Sequence, residues 1–232
     1  MRKREKTYRR KTLEKKFSIA LDGPSGSGKS TVAKFLSHKL NILYLDTGAM
    51  YRATAIKALE LGINPKDEEK VMTFIDDINL NIEYENGSQK TILDGNDVSS
   101  KIREPHVSMA ASNVSSLKCV RLKMVDMQRK IAGNMSCVLD GRDIGSFVLP
   151  NAKYKFYITA SVDVRAERRF KELTLKGHEV DFEALKKEIE QRDYNDKNRD
   201  FAPLVQACDA ILIDTSFMNI EQVVNKVLSY LE

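Results

Sequence analysis

Eight consecutive residues, Gly23-Pro24-Ser25-Gly26-Ser27-Gly28-Lys29-Ser30, fill the pattern GxxxxGK[ST] at every defined position. Glycines at that spacing let successive backbone N–H groups turn inward around phosphate oxygens, and a helix starting directly afterwards adds the positive end of its dipole. Lys29 is then placed to neutralise charge on the β and γ phosphates, and the Ser30 hydroxyl to hold Mg²⁺. A chance glycine-rich turn is the alternative. It fails on context, because the apolar run Phe17 to Leu21 precedes the loop and a helix-periodic segment follows from Lys29. The expected donor site is Gly23 through Ser30 together with Thr31, and the expected donor is Mg-ATP. No Asn-Lys-x-Asp guanine signature occurs, which points away from a GTPase switch and toward a small kinase.

If the acceptor is itself a phosphate, transfer brings two polyanions together. Each pair of unit charges ~4 Å apart repels by about 1 kcal/mol in water and about 4 kcal/mol at an effective dielectric of ~20. Fixed cations are therefore required on the acceptor side. A general base is not, since a phosphate with a second pKa near ~6 is already mostly ionised at neutral pH. A hydroxyl acceptor would instead call for a positioned carboxylate. Arginines stand where the first case needs them: Arg52 just past a candidate strand, and Arg142 in Asp140-Gly141-Arg142-Asp143 just past another. Arg192, Asp196 and Arg199 fall at i, i+4 and i+7 and share one face if their helix runs that far. Arg165, Arg168 and Arg169 share a face of the preceding helix, where Glu167 and Glu172 offer ordinary salt-bridge partners.

Positioning these residues takes a parallel sheet covered by helices, an α/β class, because short apolar runs alternate with longer helix-periodic segments. The expected strands are Phe17 to Leu21, Ile42 to Leu45, Cys137 to Leu139, Tyr154 to Thr159 and Ala210 to Ile213. Helices are expected near 29–40, 48–61, 67–78, 105–132, 162–176, 182–195 and 219–231, with Gly62 as a cap. Between Asn79 and Ser99 the alternation breaks. Asn86-Gly87 and Asp94-Gly95 between alternating apolar residues predict hairpins with type I′ turns, and so a small antiparallel insert on the substrate side.

The 232 residues carry a formal net charge of +5, but the excess is local. Residues 1–16 hold nine basic residues against two acidic ones, +7, leaving 29 against 31, or −2, for residues 17–232. That tail reads as a disordered, solvated extension, with a nucleic-acid or ribosome-associating arm and a wrongly assigned start as the alternatives. Cys119, Cys137 and Cys208 read as reduced, partly buried thiols of a cytoplasmic protein, and with His38, His106 and His178 they are too dispersed for a metal site. No apolar run approaches the ~18 residues of a membrane span.

Six stretches together resemble the bacterial cytidylate kinase family, in the family's order: LDGPSGSGKS at 21–30, LDTGAMYR at 45–52, ILDGNDVSSKIR at 92–103, VSMAASNVSS at 107–116, LDGRDIG at 139–145, and QRDYNDKNR with APL at 191–204. The resemblance implies a P-loop nucleoside-monophosphate kinase fold over 17–232: a five-stranded parallel sheet flanked by helices, a nucleotide-binding insert at about 79–104 and a helical lid at about 162–196. It also implies phosphorylation of CMP and dCMP by ATP, within pyrimidine metabolism and without a covalent enzyme intermediate. By this likeness Ser112, Arg121 and Asp143 hold the base, and Arg52 and Arg142 hold the acceptor phosphate with Ser25 close by. Arg192, Asp196 and Arg199 contact sugar and phosphate, while Asp46 and Thr47 line the acceptor pocket. Thr47 stands where many relatives have Ser, which keeps the hydroxyl. Lys29, Arg142 and Arg192 are the expected catalytic cations, with lid arginines near 165–169 adding charge. Base chemistry agrees, since a carboxylate suits the cytosine amine and an arginine its N3 and O2 acceptors. A monomer is expected. The rival readings are a hydroxyl-directed small-molecule kinase with Asp46 as base, and a nucleotide-sensing nucleic-acid-binding protein whose tail carries the function.

Overall fold

The computed structural model describes residues 16–85 and 87–231. The expectations for the basic tail, residue 16 apart, and for Asn86 lie outside the described residues. In chain order the elements are β1 (Ser18–Asp22), α1 (Lys29–Leu40), β2 (Leu43–Asp46), α2 (Thr47–Glu60), α3 (Glu68–Ile75), β3 (Leu80–Glu85), β4 (Ser88–Leu93) and β5 (Asn96–Asp97). There follow α4 (Pro105–Val114), α5 (Lys118–Asn134), β6 (Cys137–Gly141), β7 (Tyr154–Thr159), α6 (Val162–Leu175), α7 (Phe182–Asn198), β8 (Ile211–Asp214) and α8 (Ile220–Leu228).

The five expected strands form one sheet in the order β2-β6-β1-β7-β8, with every pairing parallel. β1, β2 and β6 are buried on both faces, which is why they read in sequence as continuous apolar runs, whereas the edge strand β8 leaves Leu212 and Asp214 exposed. Successive side chains still divide between the faces. Ile19, Leu21, Val138 and Phe156 pack with Val32 and Leu36 of α1 and Val223 and Val227 of α8. Ala20, Leu45 and Leu139 point the other way, toward Met50 of α2 and Met124 of α5. The chain leaves β1 toward β2 and later crosses from β6 to β7 on its other side. The phosphate-loop pattern therefore follows the central strand at the switch point where α/β sheets bind ligands.

One long helix expected over 105–132 is two, α4 and α5. The ladder stops where the Ser115 and Ser116 hydroxyls donate to the carbonyls of Ser112 and Asn113, at 3.0 and 2.7 Å, a local competition that favours a turn over a continued helix. Gly62 behaves as expected. With φ +67° it ends α2 in a Schellman arrangement, Ile63 N–H bonding to Ala58 C=O at 2.8 Å and Gly62 N–H to Leu59 C=O at 3.0 Å. Cys137 is buried and Cys119 half-buried, as expected of partly buried thiols, but Cys208 is exposed.

The insert is a separate three-stranded antiparallel sheet, β3-β4-β5. Asp94 and Gly95 turn the β4-β5 hairpin with φ +50° and +80°, as a type I′ turn requires. This sheet closes the open edge of the main one by side chains rather than by a ladder. Tyr84 and Gln89 are cross-strand partners. The Tyr84 hydroxyl donates to Tyr44 C=O at 3.0 Å, while Gln89 accepts from Asp46 N–H at 2.8 Å and donates to Asp46 C=O at 3.4 Å. Gln89→Ala leaves that N–H unpaired, and the expected loss is about 1–2 kcal/mol of unfolding free energy, to be read from urea midpoints; an unchanged midpoint would refute the clamp.

Candidate nucleotide site

The loop Gly23 to Ser30 joins β1 to α1 under tight constraint. A Cβ on Gly23 (φ +143°) would lie 1.9 Å from the Ile158 carbonyl oxygen of β7, so only glycine lets the loop start there. Gly26 and Gly28 also have positive φ. No side chain caps α1, which leaves its first N–H groups to the loop. The Lys29 ammonium is buried and donates to Pro24 C=O at 2.6 Å and Ser27 Oγ at 3.3 Å. Burial first and Arg142 second push it down to about 7.

The Ser30 hydroxyl donates to Asp140 Oδ2 at 2.5 Å. Asp140 closes the apolar part of β6 beside β1 and also accepts from the Tyr44 hydroxyl at 3.2 Å; burial, with Asp46 nearby, raises it to about 6. Sequence reasoning quoted Asp140 inside a motif without giving it a task. Its signal was available: an acidic residue directly after an apolar strand that must lie near the phosphate loop. Hydroxyl and carboxylate oxygens suit a hard cation such as Mg²⁺. Among the described residues no cluster of three or more His, Cys, Asp or Glu could hold a metal; Ser30 and Asp140 supply one hydroxyl and one carboxylate.

A cleft of about 690 Å³ runs from the phosphate loop across the carboxyl ends of β2 and β6 to α4, α5, α6 and α7. From the expected donor site Ser25, Gly26, Gly28, Lys29, Ser30 and Thr31 line it; Gly23, Pro24 and Ser27 do not. Every expected acceptor residue does: Asp46, Thr47, Arg52, Ser112, Arg121, Arg142, Asp143, Arg192, Asp196 and Arg199.

Within the cleft each charge has a defined setting. Asp46 caps α2 through Ala49 N–H at 2.9 Å and pairs with Arg52 at 2.9 Å and Arg103 at 3.4 Å. Burial opposes its charge, but these cations and the N–H outweigh it and hold the carboxyl below its ordinary range. The Thr47 hydroxyl is committed to Asp140 C=O at 2.7 Å. Arg142 Nε donates to Asp196 Oδ2 at 2.7 Å. Arg192 has a buried Nε without a partner, and burial together with Arg142 and Arg52 pushes it down to about 10. Such crowding of like charge is relieved by an anion.

At the far end Arg121, 1% exposed, donates to Asp143 Oδ2 at 2.5 Å and Ser115 C=O at 3.1 Å and stacks on Tyr51 at 5.5 Å. The Ser115 carbonyl is available only because α4 and α5 are separate. Arg199 is not on the helical face with Arg192 and Asp196, since α7 ends at Asn198 and Arg199 is extended. It pairs instead with Asp143 at 3.4 Å. Gln128 was missed, although it lies two turns beyond Arg121 on the same face. Its amide is buried in the cleft wall beside the Tyr51 hydroxyl.

The expectation for Arg165 is corrected. It is 3% exposed, donates to Ala160 C=O, Ser25 C=O and both oxygens of Asp193, and is absent from the cleft wall. It braces the phosphate loop from behind. Arg168 and Arg169 do line the cleft, with Arg168 donating to Thr215 C=O at 2.8 Å and Arg169 paired to Glu172 at 2.8 Å. Spacing placed the three on one face but could not say which turns inward.

The sequence model of one family, described as cytidylate kinase, matches residues 19–232. The chain belongs to the cytidylate kinase family. A cytidylate kinase of Caldicellulosiruptor saccharolyticus is 50% identical over 214 residues, 92% of this chain and 95% of its own. One of Enterococcus faecalis is 50% identical over 209 residues, 90% and 92% of the two chains. A solved structure of an uncharacterized protein from Eubacterium ventriosum shares the fold, with a TM-score of 0.52 at 16% identity over 93% of this chain and 98% of that one. Cytidylate kinase membership bears out the resemblance drawn from the six motif stretches. Among the described residues no helix is long and apolar enough to cross a membrane.

Proposed function

We propose that the chain transfers the γ-phosphoryl group of ATP to CMP and dCMP, giving ADP and CDP or dCDP, by direct in-line transfer between two nucleotides held in the one cleft. The observation that carries this reading is the arginine cluster. Arg52, Arg142 and Arg192 share a cleft with the phosphate loop, and Arg192 is crowded by its own neighbours, an arrangement suited to an acceptor that is already a dianion.

Lys29 and the loop N–H groups hold the donor phosphates. Ser30 and Asp140 would hold Mg²⁺, which when bound neutralises charge on the β and γ phosphates. Arg52, Arg142 and Arg192 take the acceptor phosphate, while Asp196, ionised beside Arg142 and Arg192, accepts from the sugar 3′-hydroxyl that ribose and deoxyribose both carry. Asp143, Arg121 and Ser112 read the base. Uracil sets a carbonyl against Asp143, which costs about 1–3 kcal/mol against UMP. The α6–α7 pair has its own core around Ala166, Leu185 and Ile189 and acts as a lid that excludes water during transfer.

A hydroxyl-directed kinase would need Asp46 as base, yet Asp46 is bound to two arginines and held below its ordinary range. An ADP-release assay across CMP, dCMP, UMP, AMP, GMP and neutral hydroxylated metabolites tests the proposal. CMP and dCMP should lead UMP by about 5- to 150-fold; activity on a neutral metabolite with CMP inert would sink it. Deleting residues 1–16 should leave this activity intact, whereas a tail-borne nucleic-acid function would be lost.

A further inference from the structure

β1 ends on Asp22, the residue before Gly23. Its side chain is absent from the cleft wall and only 4% of the residue is exposed. One carboxylate oxygen accepts Ile144 N–H at 2.7 Å and the other accepts Gly145 N–H at 2.7 Å. These two N–H groups open a π-helical turn, Ile144–Val148, that Asp143 precedes. From the other side the Asp143 carbonyl accepts Phe147 N–H at 2.9 Å and Val148 N–H at 3.0 Å. The backbone that carries Asp143 is thus held at both ends, and one of those holds springs from the root of the phosphate loop.

The fit leaves no slack. A Cβ on Gly145 would lie 3.3 Å from Asp22 Oδ2 and 3.1 Å from Lys155 Cδ. Nor does the carboxylate serve the fold cheaply. Burial raises Asp22 to about 6, against the two N–H bonds and Lys29 that favour its charge, with Asp143 adding repulsion. Above that pH the ionised form works against native stability, and the cost eases as pH falls through about 6 toward the ordinary value. What a carboxylate offers that a neutral amide does not is a second acceptor oxygen for two adjacent N–H groups.

We propose that Asp22 is a positioning residue for the acceptor nucleotide: it locks the Ile144–Gly145 backbone, and with it Asp143 and Arg142, in register with the phosphate loop. The proposal rests on the reading of Asp143 as the residue that meets the base.

Asp22→Asn keeps the shape but sets an amide donor against a backbone donor. The expected result is a KM for CMP raised about tenfold and a kcat lowered about tenfold, with the KM for ATP within about twofold of wild type, since small misplacement of a substrate is amplified in rate. The melting temperature should move little, because losing one N–H acceptor and relieving the buried charge act in opposite directions. A purely structural residue would instead lower it and leave the KM of the folded fraction unchanged. Gly145→Ala, which presses on the same contact while keeping the carboxylate, should shift the CMP parameters in the same direction. An unchanged KM for CMP in folded Asp22→Asn, or equal rises for both nucleotides, overturns the proposal. Asp143→Asn assayed in parallel keeps the two ideas apart, because equal losses for CMP and ATP in that variant overturn the reading of Asp143 whatever Asp22→Asn does.

Discussion

Lys29→Met should abolish transfer, lowering kcat at saturating nucleotides by about 10³-fold or more, or about 4 kcal/mol of transition-state stabilisation, in a protein that still folds. The lysine stem is buried beside α1 and its ammonium bonds only to loop atoms, Pro24 C=O and Ser27 Oγ. Methionine reproduces the stem and omits the charge. With its pKa pushed down to about 7 from an ordinary 10.5, the lysine is a poor stabiliser of the free protein. Its charged form is disfavoured in the native state below about pH 7, and that penalty fades as pH rises toward the ordinary value. Thermal unfolding of Lys29→Met near neutral pH should therefore match or exceed wild type. Steady-state rates and melting curves on one preparation decide the matter: more than about a tenth of wild-type kcat would remove Lys29 from the proposed mechanism.

Asp143→Asn should cost CMP about 5- to 150-fold in kcat/KM and UMP much less, so the ratio between the two bases narrows sharply. Asp143 holds two guanidinium groups at the far end of the cleft, Arg121 at 2.5 Å and Arg199 at 3.4 Å. Asparagine offers one acceptor oxygen where the carboxylate offered two, and its amine meets cationic donors. Both arginines then stay in place with reduced compensation, which also destabilises the fold, though by less than the ~3–5 kcal/mol of deleting one partner of a buried pair. The measurement is kcat/KM for CMP and UMP at a temperature where the variant is folded, with the ATP KM as control. A CMP:UMP ratio equal to wild type would show that base choice is made elsewhere in the cleft, with the Gln128 amide next to be tested.

The features readable from the chain alone are those whose cause is local. A phosphate loop is eight adjacent residues, and its glycines, lysine and serine need only a strand before and a helix after. The five parallel strands lie within about two residues of expectation because the inner ones, buried on both faces, demand unbroken apolar runs, and the Asp94-Gly95 turn because positive φ selects those residue types. What the chain could not show is which distant residues those strands bring together. Ser30 meets Asp140 because β6 is inserted between β1 and β2. Asp22 meets Ile144 and Gly145 because the segment after β6 folds back over the end of β1. The break between α4 and α5 turns Ser115 toward Arg121, and the end of α7 releases Arg199 toward Asp143. Periodicity placed Arg165, Arg168 and Arg169 on one face, yet only packing against Ala160 and Asp193 made Arg165 a brace for the loop. Residue types and spacing by themselves determined the donor half of the chemistry and the need for cations opposite it. Sheet order decided which charge stands beside which, because the interaction between two charges depends on their separation in space and on the water excluded around them, and neither is a function of distance along the chain.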